Sequence, residues 1–396
     1  MESLLMHDNS REISYMSKAM GGRVLVVALS ALCGASWMLP LPWVGPALSL
    51  VFAGLVLAQK SWSSRTLVAL AYYATGSFAM MHGFTMFLGE HAPAWEEAFF
   101  WMGTSALLAA GWIFVNRPWK AVLVLFFYAL VPPLSFIDWL SPLTAAGAIF
   151  PGMGPFGFSL LAGIAMVPEL SLWSKGHYWD GDLWEIASNF VLAALICNAA
   201  FALMAHSRFP ELRPFRKPAD WGGASWHAGS VMPDILAKKD ARVVLLPDTL
   251  KTNWVDNIKQ IQQEVPARQT WLVGVSALRK TGGATDFIVA FQHQGKPKVL
   301  FTSVFPLPIS MQNLTRVSSW WEPARNIDGV RAWASIGHDQ LLPWVWMEGV
   351  VQQPQVILVT HNGSLAKGSG MSTIQRNTAL AWGRLMGDLE IELGNR

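Results

Sequence analysis

Apolar residues follow two different rhythms along this chain. Through position 206 they come in long blocks: Val24 to Pro40, Val44 to Ala58, Thr66 to Leu88, Ala98 to Val115, Ala121 to Trp139, Leu143 to Val167 and Ile186 to Ala205. A helix of about 20 apolar residues crosses the hydrocarbon of a bilayer, so residues 1–206 are expected to form a polytopic α-helical membrane domain with about seven spans. The second block is short, and the Pro40, Pro42, Pro46 linker lets it pair with the first as a hairpin. The sixth is broken by Pro151, Pro155 and glycines at 147, 152, 154 and 157. Two readings of it stay open: a re-entrant, cavity-lining segment, or a loop between two shorter spans.

From Asp220 onward the apolar runs shorten and turn residues separate them. Ala241–Leu246, Gln269–Val275, Asp286–Gln292, Val299–Phe305, Ala332–Ile336 and Gln355–Thr360 have strand length and continuous apolar content, the mark of strands covered on both faces. Helical spacing is present in Trp254–Glu264 and Ser372–Met386. Residues 220–396 are therefore expected to form an α/β sandwich, joined to the membrane domain by a linker at 207–219.

Composition sharpens this division. The mean hydropathy of +0.32 averages two unlike halves. A net charge of +3 without a dense Lys/Arg patch excludes a direct nucleic-acid partner. The two cysteines, Cys33 and Cys197, lie in apolar runs and offer neither a disulfide nor a metal-ligand spacing. Arg11, Lys18, Arg23, Lys60, Arg65, Arg117 and Lys120 flank alternate ends of the first blocks, and Glu90, Glu96 and Glu97 lie opposite, which sets the N-terminus in the cytoplasm. Seven crossings put the C-terminal domain in the periplasm, against the basic Arg208, Arg213, Arg216 and Lys217 that follow the last one. The side stays open between that arrangement and a non-crossing sixth segment.

Candidate chemistry centres on Ala332–Trp344, AWASIGHDQLLPW, where a buried strand is expected to break at Gly337 into an exposed elbow presenting His338 and Asp339. Two other strand ends precede it in order, Leu246-Pro247-Asp248 and Phe305-Pro306-Leu307-Pro308, and VILVTHNGSLAKGSG follows. This series resembles the nitrilase, or carbon-nitrogen hydrolase, superfamily. With a multi-span block in front, it is similar to apolipoprotein N-acyltransferase and more so to TraB-type conjugal transfer proteins, for which IGHDQLLPW is suggestive.

The resemblance implies an α-β-β-α nitrilase-like domain with a Glu, a Lys and a Cys at three strand ends. It carries these roles onto Asp248, Ser303 and Gly337, with His338, Asp339, His361 and Asn362 around the pocket. Such sites form a thioester through a thiolate. Glycine has no side chain and no cysteine lies in residues 220–396, so thiol catalysis is excluded. What the resemblance implies is a degenerate, non-catalytic domain that keeps an acyl or lipid pocket, in an accessory inner-membrane protein of plasmid conjugation. Membrane lipid and conjugation or pilus components are the implied partners, with no cofactor. Two competing classes are an acyltransferase or amidase using a non-cysteine site, and an envelope scaffold docking a pilus or secretion component. A Ser335, His338, Asp339 triad and a metal site from Asp248, His338, Asp339 and His361 are the sharper alternatives, both weaker than ordinary elbow residues. The loop His361–Gly370 lacks phosphate-loop spacing and reads as a lid. Trp320 and Trp321 lie on an excursion that, by the resemblance, faces lipid; a contact with a partner protein stays open beside it.

Overall fold

The computed structural model describes residues 21–78, 81, 93–175, 182–205, 220–223, 241–250, 258–278, 284–305, 320–360, 370–387 and 392–393. The N-terminal region is helical. Its helices are α1 (Gly21–Met38), α2 (Val44–Leu57), α3 (Trp62–Phe78), α4 (Ala94–Ala110), α5 (Pro118–Leu130), α6 (Ala145–Ile149), α7 (Pro155–Lys175) and α8 (Asp182–Ala205). Among the described residues, two stretches are long and apolar enough to cross a membrane, Gly21–Met38 and Trp95–Phe114. Shorter apolar helices cover Val44–Leu57, Pro118–Leu130, Pro155–Met166 and Val191–Met204. Prolines account for part of the shortening: Pro118 starts α5, and Pro151 and Pro155 divide the sixth block into two helices. Arg65, expected as a loop cation, is buried instead, its guanidinium collecting the carbonyls of Gln59, Lys60 and Ile113.

Among the described residues, nine strands follow in two sheets. The first has the order β1-β2-β3-β4-β5: β1 (Trp221–Gly223), β2 (Val243–Leu250), β3 (Thr270–Leu278), β4 (Ala284–Gln292) and β5 (Lys298–Thr302). Pairing is parallel through β1, β2 and β3, then antiparallel through β4 and β5. The second has the order β6-β7-β8-β9: β6 (Arg325–Ile327), β7 (Val330–Ile336), β8 (Val356–Thr360) and β9 (Glu392–Leu393). Here β6 and β7 are antiparallel, while β7, β8 and β9 are parallel.

Side-chain alternation explains how the sheets stack. Val243, Leu245, Leu272, Ile288 and Phe301 of the first sheet meet Ala332, Ala334, Ile336, Val356 and Leu358 of the second in one apolar layer. Val244, Leu246, Trp271, Val273 and Phe291 face the other way, toward helix α9 (Ile258–Glu264). On the far side, Trp333, Ile357 and Val359 pack against α10 (Pro343–Gln352) and α11 (Met371–Met386). The order across the domain is helix, sheet, sheet, helices.

Helix α11 belongs to two bodies at once. Gly370 and Gly387, at φ +68° and +89°, bracket it, the second closing it through bonds to the carbonyls of Arg384 and Gly383. Most of its length is buried, because its other side meets the helical region. Asn377 donates to the carbonyls of Trp37 (3.1 Å) and Leu39 (2.9 Å). Arg384 bonds Asn198 and lies over the rings of Trp43 (4.5 Å) and Phe201 (5.4 Å). The glycines of the broken sixth block turn out to serve this contact. A Cβ on Gly147 would stand 1.8 Å from the Ala381 carbonyl oxygen, so only glycine lets α6 and α11 approach. The amides of Gly152 and Gly154 donate to the carbonyls of Arg384 and Leu385, each at 2.8 Å. Irregular backbone and helix end thus satisfy each other's hydrogen bonds.

Candidate functional site

Strand β7 ends at the expected place. Gly337 has φ +58°, a left-handed conformation that glycine adopts without strain, and opens a 3-10 turn over Gly337–Leu341. The elbow is not exposed, contrary to the expectation from its polar letters: His338 is 3% exposed and Asp339 1%. From Ala332 through Trp346, Gly337 is the one residue that is not buried. Within 4 Å, a Cβ built on it would meet a single non-neighbouring atom, Asp286 Oδ2, at 3.2 Å.

Asp339 ties the elbow to the end of β5. Its carboxylate accepts from the amides of Val304 (2.8 Å) and Phe305 (2.9 Å), which explains why β5 stops at Thr302 and does not run on to Phe305. Burial pushes the Asp339 carboxyl up to about 7; the Phe305 and Val304 amides and the Ser303 hydroxyl oppose this, and the Asp286 charge adds to it. Burial holds His338 down to about 4, against the Phe136 carbonyl, which favours its protonated ring, so it is neutral near pH 7. On helix α10, Glu348 accepts the Glu322 amide (3.1 Å) and is raised to about 8 by burial, with Asp339 and Glu322 contributing.

The surrounding bonds are structural. Gln340 donates to the Thr360 carbonyl at 2.6 Å, Trp346 Nε1 to the Gln340 carbonyl at 2.8 Å, and Gln375 to the Gly337 carbonyl at 3.0 Å. Through Gln375, α11 links the elbow to the helical region.

Of the residues expected in the site, Ser303, Gly337, His338 and Asp339 stand at one strand-end cluster. Ser303 donates its amide to the Asp286 carbonyl (2.8 Å), and its hydroxyl lies between the Phe305 carbonyl (3.2 Å) and the Asp339 carboxylate. Asp248 is in β2, where pairing with β3 slips between Leu246↔Val273 and Leu250↔Val275. Pro247, with no amide to give the ladder, explains the irregularity. The Asp248 side chain, His361 and Asn362 lie outside the described residues, as does most of the expected lid.

The structure does not assemble the Ser335, His338, Asp339 triad. Asp339 is held by backbone amides, the imidazole faces the Phe136 carbonyl, and Ser335 Oγ is buried without a hydrogen-bond partner. Nor do the described residues contain a group of three or more His, Cys, Asp or Glu placed to hold a metal. Sequence reasoning missed Asp286. The one acidic letter in ATDFIVAFQ was the available signal, but nothing in the sequence says that the start of β4 lies over the end of β7.

These observations define a class: a helical region docked, through α11, onto a two-sheet α/β domain with a buried strand-end elbow that turns on a glycine. The chain is similar over nearly its whole length to the conjugal transfer protein TraB of Agrobacterium fabrum strain C58, with 25% identity across 92% of this chain and 90% of that protein. It is also similar to a probable conjugal transfer protein TraB of Sinorhizobium fredii strain NGR234, with 24% identity across 85% of this chain and 95% of that protein. No family model matches it.

Proposed function

We propose that this chain is an integral inner-membrane component of conjugal transfer. In this reading residues 1–206 form a polytopic membrane domain, 207–219 a linker, and 220–396 a nitrilase-like domain on the periplasmic side. The last binds an acyl or lipid group and does not transfer it. The observation that carries the transfer role is the end-to-end similarity to two proteins named for conjugal transfer. Membrane residence is supported by the outward apolar side chains of the helical region, among them Leu25, Leu32, Phe99, Phe127, Leu195 and Leu203, each more than half exposed. The nitrilase-like reading is supported by the helix, sheet, sheet, helix order and by an elbow at a strand end. Loss of catalysis is supported by Gly337, which offers no atom for covalent attack.

Deletion of the gene is expected to lower plasmid transfer between cells, with recovery on re-expression; unchanged transfer refutes the role. A C-terminal reporter fusion active only in the periplasm is expected, and a cytoplasmic signal refutes the topology. One observation favours a second reading, an acyltransferase or amidase with a non-cysteine site: Asp286 stands where a side chain on Gly337 would point. Purified protein given phospholipid and an acceptor peptide is expected to show no acyl transfer. Transfer that disappears in Asp286→Asn establishes the second reading instead.

A further inference from the structure

The segment joining α5 to α6 carries polar groups that no contact described so far explains. Ser135, Asp138 and Ser141 are each 1% exposed, at i, i+3 and i+6. Both carboxylate oxygens of Asp138 and the hydroxyl oxygens of both serines are buried without a hydrogen-bond partner. Ser141 follows Asp138 by three residues, but the two side chains do not meet at hydrogen-bond geometry. Buried polar atoms are nearly always paired, so four orphans on seven residues of irregular backbone call for a ligand.

The neighbours do not answer the charge. Tyr72, Tyr73 and Tyr128 stand within electrostatic range of Asp138. The Tyr72 hydroxyl donates to the Leu140 carbonyl (2.9 Å) and that of Tyr128 to the Leu107 carbonyl (3.3 Å), so those two protons are committed elsewhere. Among the described residues, no ion pair includes Asp138. A proton would neutralise the carboxylate but leave the serine oxygens orphaned. Divalent ions of this hard class prefer more carboxylate charge, and softer metals prefer nitrogen or sulfur. One carboxylate with hydroxyl oxygens on unwound backbone matches a single positive charge.

We propose that Asp138 and Ser141, with Ser135 beside them, bind an alkali-metal cation, for which sodium is the natural probe. The site lies behind the elbow. Phe136, two residues from Asp138, has its carbonyl near the His338 ring and stacks on Phe305 at 4.7 Å. The amide of Phe305 is in turn held by Asp339. A bound cation therefore braces the segment that seats the elbow on the helical region, whether or not the elbow performs chemistry.

The test is the melting of the full-length protein in detergent, read by tryptophan fluorescence, in sodium, potassium, lithium or N-methylglucamine chloride at equal ionic strength. Expected is a saturable rise of a few degrees in one alkali salt over N-methylglucamine, absent from Asp138→Asn. Ser141→Ala keeps the charge and is expected to raise the half-saturating concentration roughly tenfold, so it decides the matter should Asp138→Asn not fold. Equal melting in all four salts overturns the proposal, as does a salt-specific rise that both variants retain unchanged.

Discussion

Asp339→Asn isolates the electrostatics of the elbow, because it changes the charge while nearly preserving shape. In the folded chain burial lifts Asp339 from an ordinary 3.8 to about 7. A folded state that holds its proton more tightly than the unfolded chain has its full stability at low pH and loses it as pH rises from about 4 to about 7. That interval corresponds to about 4 kcal/mol, or on the order of 10 °C in melting temperature. Asparagine does not titrate, so the variant lacks this loss. It has one acceptor oxygen for two amides, however, and leaves either Val304 or Phe305 unsatisfied, at about 1–3 kcal/mol throughout. The wild type is therefore expected to be the more stable at pH 4.5 and the variant above neutrality, with a crossing between about pH 5 and 6. His338 works in the opposite sense, its neutral folded form losing stability as pH falls from 6.5 toward about 4, but it is common to both proteins and drops out of the difference. The measurement is melting by tryptophan fluorescence from pH 4.5 to 8. A gap that stays constant, or widens in favour of the wild type as pH rises, refutes the reasoning and means that the three donors around the carboxylate outweigh its burial.

Three further outcomes are expected. Gly337→Ala places a Cβ in left-handed backbone 3.2 Å from Asp286 Oδ2 and is expected to lower stability by about 1–2 kcal/mol, measurable as a fall in melting temperature. Gly147→Ala drives a methyl into the Ala381 carbonyl, and is expected to undock α11 and expose the chain to limited proteolysis near Gly370; an unchanged digest counts against the close approach of α6 and α11. Asn377→Ala removes two donors to the Trp37 and Leu39 carbonyls, and a loss of about 1–3 kcal/mol in melting experiments is expected.

Much of the C-terminal fold was legible in the sequence, because strands buried on both faces carry apolar runs that no surface element matches. Ala284–Gln292 and Val330–Ile336 contain the runs that predict them, and Thr270–Leu278 and Val356–Thr360 begin one residue inside theirs. The short strands β1, β6 and β9 were not legible, since two or three residues of ladder leave no periodicity. Among the described residues two of the apolar blocks form helices of spanning length, and the shorter apolar helices show that a hydropathy count does not register where proline interrupts a block. The elbow was placed correctly by Gly337, yet its exposure was misjudged: polar letters usually face water, and His338 and Asp339 face backbone groups from distant segments. Asp286 was missed for the same reason, as only the stacking of two sheets brings it beside Gly337.

Helix α11 has a consequence for how the polypeptide matures. Its bond from Asn377 to the Trp37 carbonyl spans 340 residues, so α1 acquires one of its partners only after that much more of the chain has been synthesised. A premature stop before Met371 would leave the carbonyls of Trp37 and Leu39 and the amides of Gly152 and Gly154 without their mates, at the very seam between the two halves. Damage confined to α11 should therefore be detected as instability of α1, which gives cellular proteolysis a means of removing copies that lack it.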